Sequence, residues 1–238
     1  HSARIIPERG SWIELEVTKK DVLAMRIDQS TKLAATTFLR CLDESIASTA
    51  AILSLFYEIN EVKATDVRPV HWSAESIIDD ESGEELVHVG RQLGEEGANA
   101  IINSGLKTVL VIENPSDPLI LNSVAEEKLE QFGEVASSEF EAALLKIYTR
   151  LRPGNPPQVE KAKQLFAEKF LDENRYRLGK VGRFRINRKF DLDVAKDQMF
   201  IRAEDFLRVI QYMLDLRSKR PDPKTGRPIA TVDDIDHL

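Results

Sequence analysis

The chain holds a single cysteine, Cys41, so an internal disulfide is excluded and a reducing, cytoplasmic setting is expected. No apolar run approaches the ~20 residues a membrane-spanning helix needs, and no membrane partner is expected. The four histidines (His1, His71, His88, His237) are scattered, and no pair has the spacing of metal ligands. A Walker-type loop is missing too: Gly179-Lys180-Val181-Gly182-Arg183 lacks the spacing of a phosphate cradle. Residues 104–107 fit S-x-x-K and 224–226 fit K-T-G, but the S-D-N that completes this serine-hydrolase set is absent. Asp233, Asp234 and Asp236 have no other carboxylate cluster near them and read as surface acids. The residues alone therefore give no catalytic site, no metal site and no cofactor.

What is present is a core and an uneven charge. With 42% hydrophobic and 31% charged residues, the 238-residue chain reads as globular, one large domain or two small ones. Residues 61–140 contain 17 acids and five bases, a net of −12, whereas the remainder carries +5. The middle is a poor nucleic-acid surface and the flanks are better ones. Residues 175–189 carry seven basic side chains and no acid, in a chain of net charge −7. From Gly182 on they alternate, which predicts a strand with Arg183 and Arg185 on one face, ~7 Å apart. That spacing suits a polyanion; the bland alternative is a solvated face.

Along the chain, residues 12–17 and 22–28 alternate and predict a hairpin, with residues 31–42 and 45–57 as helices, Ser45 capping the second and Ile52, Leu55 and Phe56 forming its stripe. In the acidic middle, residues 67–78 are strand-like, 79–84 a tight turn, 86–89 the return, 94–105 a helix stopped by Gly105, and 107–113 a buried strand. Apolar spacing then predicts helices over 140–151, 159–170 and 203–218, with loops at 152–157 and 219–230. The expected class is α+β: antiparallel hairpins and strands packed with several helices, plus a small α/β insert. The expected division is 1–60, an acidic variable insert at 61–138, and 139–238.

Several motifs, in order, resemble the β subunit of bacterial RNA polymerase. Ala3-Arg4-Ile5-Ile6-Pro7-Glu8-Arg9-Gly10-Ser11-Trp12 is similar to its A-R-I-I-P-x-R-G-S-W. Arg26-Ile27-Asp28, followed by Lys32-Leu33-Ala34-Ala35-Thr36, resembles R-I-D-x-x-x-K-L-P-A-T. Tyr148-Thr149-Arg150-Leu151-Arg152-Pro153-Gly154-Asn155-Pro156-Pro157 resembles Y-x-x-x-R-P-G-E-P-P, and Tyr176 with Val181-Gly182-Arg183-Phe184-Arg185-Ile186-Asn187 resembles R-Y-x-L-x-x-V-G-R-x-K-x-N. The chain ends in Asp233-Asp234-Ile235-Asp236-His237-Leu238, as in the family's D-D-I-D-H-L.

The resemblance implies a piece of a longer subunit: the lobe, part of the wall of the cleft that holds downstream DNA. It implies no catalysis in this piece, because the family's catalytic Mg²⁺ is held by aspartates of the other large subunit. It implies as partners the remaining polymerase subunits, the sigma factor, and DNA as downstream duplex and as non-template strand. The residues matching Trp12, Asp28 and Asp236 would line a pocket for an unpaired guanine. An indole stacks on a base, for ~1–3 kcal/mol, and a carboxylate accepts from guanine's N–H donors. Lys32 would contact nucleic acid, and Arg152, Arg183 and Arg185 would face DNA or sigma. Two departures stand out: Gln29-Ser30-Thr31 replaces the Arg-Arg-Arg of many relatives, and Asn155 replaces a glutamate. The alternative is a free-standing protein-docking module whose contact surface is the basic strand, with no role on DNA.

Overall fold

The computed structural model describes residues 1–30 and 32–231. Strands β1 (Ser2–Ile5), β2 (Ile13–Val17), β3 (Leu23–Ile27) and β4 (Leu33–Ala34) form an antiparallel sheet in that order. Alternation sets its faces: Ile13, Leu15, Leu23, Met25 and Ile27 are buried, while Glu14 and Glu16 lie on the half-exposed side. The expected hairpin pairs Ile13 with Ile27 and Val17 with Leu23. Between β3 and β4, Asp28 (φ 48°) and Gln29 (φ 62°) are both left-handed, as a two-residue type I′ turn requires.

Helix α1 (Ala35–Leu42) is buried from Ala35 to Cys41. The expected start at residue 31 is shifted, because Leu33 and Ala34 first pair with β3. Helix α2 (Thr49–Ser54) is shorter than expected and its cap is Ser48, whose hydroxyl accepts from the Ala51 N–H at 3.1 Å. Ser45 instead sits in a preceding 3₁₀ turn capped by Asp43, and Leu55 is exposed beyond the helix end.

Strands β5 (Asn60–Lys63), β6 (Trp72–Ser73), β7 (Ile77–Ile78), β8 (Glu85–Val87) and β9 (Thr108–Ile112), with helix α3 (Gly94–Asn103), build a smaller unit. Its central strand is β9, between β5 and β6, and β7 and β8 form a separate hairpin closed by the expected turn at Asp79. The strand-like stretch 67–78 is realised only as the short β6 and β7. This unit has its own apolar cluster, which includes Val67, Val87, Ile101, Val109 and Val111.

Helix α4 (Leu119–Ala125) has no counterpart among the sequence expectations and belongs to the main core: Leu119, Ile120 and Leu121 are fully buried, and Ser123 accepts the Leu23 N–H at 2.9 Å. Its apolar run is too short and too uniform to show a period. Helices α5 (Glu139–Leu151), α6 (Val159–Phe166), α7 (Gly179–Phe190) and α8 (Ala203–Ser218) complete the main body, with a π-helical turn, Ala167–Leu171, extending α6. Phe38 of α1 is the hub, its ring 5.6 Å from Phe166, 5.0 Å from Phe170 and 5.1 Å from Phe206. The arrangement is α+β, antiparallel sheets packed with helices.

The largest correction concerns residues 179–190, where the expected basic strand is helix α7. Its buried residues are Gly179, Arg183 and Ile186, so the inward positions recur at helical spacing. The guanidinium of Arg183 donates to both Asp205 carboxylate oxygens (2.7 and 2.9 Å) and to the carbonyls of Gln198 and Phe200 (2.8 Å each). That buried, bidentate pair outweighs any local preference for alternation.

Candidate nucleic-acid interface

The R-G-S-W segment is held by a two-way backbone bridge. Arg9 N–H donates to the Arg177 carbonyl at 3.0 Å, and Arg177 N–H to the Arg9 carbonyl at 2.7 Å. Gly10 has φ +122°, and a Cβ there would stand 2.8 Å from a ring carbon of Tyr176, so close approach and backbone angle both require glycine. The bridge carries the chain into Trp12, whose side chain is 45% exposed while Ile13 next to it is fully buried.

Two bonds fix the Trp12 backbone to Asp28. Trp12 N–H donates to Asp28 Oδ1 at 2.8 Å, and Asp28 N–H donates to the Trp12 carbonyl at 3.0 Å. The other carboxylate oxygen of Asp28 accepts from Lys169 Nζ at 3.1 Å. Partial burial pushes the Asp28 carboxyl upward, but hydrogen bonds from Ser11, the Trp12 N–H and Lys169 outweigh it and hold the group below the usual carboxylate value.

Beside this pair lies an open groove of about 290 Å³ whose walls include Ser11, Arg152, Glu168, Lys169 and Arg175. Arg152 enters at the end of α5, Lys169 from the π turn and Arg175 from the segment before α7. Arg175 is paired with Glu168 at 2.8 Å. Three cations and one acid thus line a groove that passes Gly10 and Ser11, the residues before Trp12, with Lys169 held by Asp28 and Arg175 by Glu168.

Trp12 and Asp28 are hydrogen-bonded to each other and Arg152 lines the groove that also includes Ser11 and Lys169, while the other candidates among the described residues stand elsewhere. Lys32 forms an ion pair with Glu16 and lines a second groove of about 390 Å³ with Lys19, Lys20, Lys146 and Arg150. Lys146 is half-buried there, and burial together with the charge of Arg150 lowers its affinity for a proton. Arg183 is fully buried against Asp205 and cannot face DNA or sigma from that position. Arg185 is exposed on α7 beside Phe184, which is 52% exposed. Asp236, like Asp233 and Asp234, lies outside the described residues. Lys169 was missed, because 141 residues separate it from Asp28 and nothing in the local pattern around it points to a partner that distant. Among the described residues no three His, Cys, Asp or Glu side chains stand together to hold a metal ion, and no helix is long and apolar enough to cross a membrane.

Residues 102–238 match the family model for RNA polymerase Rpb2, domain 2. The whole chain aligns with proteins named DNA-directed RNA polymerase subunit beta: 45% identical over 246 residues in Rhodopirellula baltica, 30% over 294 in Caulobacter sp. (strain K31), and 32% over 262 in Porphyromonas gingivalis. It spans about a fifth of the length of these relatives, 19%, 21% and 19% respectively. With more than half of its residues inside the matched domain, the chain belongs to the RNA polymerase Rpb2 domain 2 family, as the lobe region of a bacterial-type β subunit.

Proposed function

We propose that this lobe contacts the unwound non-template strand of DNA during transcription, with Trp12 as the stacking platform and Arg152, Lys169 and Arg175 as contacts to phosphate. The observation that carries the reading is the exposed indole, fixed by two backbone bonds beside a groove with three cations. A flat ring and nearby guanidinium groups are what single-stranded nucleic acid needs. Asp28, with Asp236 from the C-terminal segment, would accept from guanine's donors and reject a base that presents acceptors. The second groove, with Lys19, Lys20, Lys146 and Arg150, suits the phosphates of downstream duplex. DNA-templated nucleotidyl transfer would belong to the assembled enzyme, with the other subunits supplying the catalytic Mg²⁺ site, in the cytoplasm.

A second reading rests on α7. Its solvent side presents Lys180, Val181, Phe184, Arg185 and Arg188, and Val181 is 65% exposed. Exposed apolar side chains are of little use to a phosphate, so this face suits an acidic protein partner, with sigma as the candidate.

The test is titration of a fluorescent single-stranded oligonucleotide with the chain at several salt concentrations. The log of affinity is expected to fall with log salt by about 0.7 per phosphate contacted. Trp12→Ala is expected to weaken binding by roughly 5- to 150-fold, the equivalent of ~1–3 kcal/mol per stacked base. Absence of salt-dependent binding at low salt, or an unaffected Trp12→Ala, removes the reading. In the assembled polymerase, Asp236→Ala is expected to abolish a preference for guanine at one non-template position.

A further inference from the structure

We propose that Lys169 is the positioning cation of the Trp12–Asp28 pair, supplying from the π-helical turn after α6 the positive charge that Gln29 and Ser30, next to Asp28, do not carry. Its consequence for DNA rests on the reading above, whereas its structural part stands alone.

The carboxylate of Asp28 is divided between two tasks. Oδ1 accepts the Trp12 N–H, which fixes the backbone beneath the indole, and Oδ2 accepts Lys169 Nζ. Lys169 therefore sets the carboxylate plane that in turn holds Trp12. The lysine itself is well anchored: its neighbour Phe170 is fully buried, with its ring 5.0 Å from Phe38. The π-helical turn inserts Phe170 into the core while Lys169 reaches the hairpin. The lysine side chain is only 27% exposed, so it is not a freely moving surface cation.

Charge leads to the same residue. Gln29 and Ser30 follow Asp28 and are neutral, and the next cation, Lys32, is committed to Glu16 at the other groove. An unbalanced carboxylate beside a phosphate path repels the strand it is meant to read. Of the three groove cations, Arg175 is paired with Glu168, and Lys169 alone is bonded to Asp28 among the described residues. Lys169 thus links the sheet to the helical layer and offsets the acid at the point of contact.

The experiment uses the 238-residue chain and its Lys169→Met and Lys169→Arg variants. The Asp28 carboxyl is titrated by carbon-13 NMR, its signal assigned by its loss in Asp28→Asn. In Lys169→Met the Asp28 titration is expected to move up toward the ordinary carboxylate range and the Trp12 amide signal to shift, while the thermal midpoint stays within a few degrees of the parent; Lys169→Arg is expected to restore both signals. An Asp28 titration that does not move in Lys169→Met overturns the proposal. Binding of an oligothymidine with one guanine is measured in parallel. If the NMR changes occur but the parent chain shows no oligonucleotide binding, the Lys169 assignment is supported and the DNA reading falls. If the parent binds and Lys169→Met loses its guanine preference, both are supported.

Discussion

Two basic regions of this protein behave in opposite ways. Residues 175–189 carry seven cations in one run with no acid among them, yet several are neutralised from elsewhere in the chain. Arg175 pairs with Glu168, Arg177 with Glu8 at 3.1 Å, and Arg183 with buried Asp205. The groove beside Trp12 takes only Arg175, itself held by Glu168, from that run; its other cations come from positions 152 and 169, which form no cluster in the sequence. A run of like charge is therefore a poor guide to a binding surface when the fold brings acids to it. Scattered cations become a surface when helices and turns converge.

The contrast is broken most directly inside α7. Arg183→Met leaves Asp205 buried without its partner and is expected to cost ~3–5 kcal/mol of stability in urea unfolding. Arg185→Met, two residues away and exposed, is expected to stay within ~0.5 kcal/mol. Equal losses would mean that the two arginines are not divided between fold and surface.

Next in size is Gly10→Ala. It forces a side chain into a left-handed backbone and against the Tyr176 ring, for an expected ~1–3 kcal/mol. Because Gly10 lies between the Arg9–Arg177 bridge and Trp12, the variant is expected to weaken oligonucleotide binding as well. Unchanged binding in a destabilised variant would separate the bridge from the site.

Smaller is Arg152→Met, expected to lower the salt slope of oligonucleotide binding by about 0.7, one phosphate's worth, while leaving the unfolding midpoint near that of the parent. A midpoint that falls with an unchanged slope would move Arg152 to the structural side of the comparison.

The smallest effect is in pH dependence. Asp28 has its folded value held below that of the unfolded chain, so its stabilising contribution is complete above about pH 4 and is lost as pH falls through the depressed value. Asp28→Asn is expected to remove that part of the acid limb of a stability–pH curve. A curve of unchanged shape would mean that the hydrogen bonds of Asp28 do not favour its charged form.

Much of the fold was legible because it is written in local patterns. The hairpin over 12–28 follows from alternating Ile13, Leu15, Leu23, Met25 and Ile27, and α8 from apolar residues at helical spacing. The turn at Asp79 and the stop at Gly105 follow from residue types with a fixed backbone preference. The motif R-G-S-W led to Trp12 and R-I-D to Asp28, and the fold joins the two by hydrogen bonds. Helix α4 was not legible, because seven mostly apolar residues carry no period. The basic stretch misled because Arg183, Phe184, Arg185 and Ile186 alternate in a way that both a strand and one turn of helix can accommodate.

Local order and the family are thus properties of the chain read as a string, because backbone preference and apolar period act over a few residues. The folded molecule alone decided which cations are spent and which are offered. Asp205 reaches Arg183 across 22 residues and Lys169 reaches Asp28 across 141. Electrostatic pairing depends on distance in space, and only tertiary packing sets that distance.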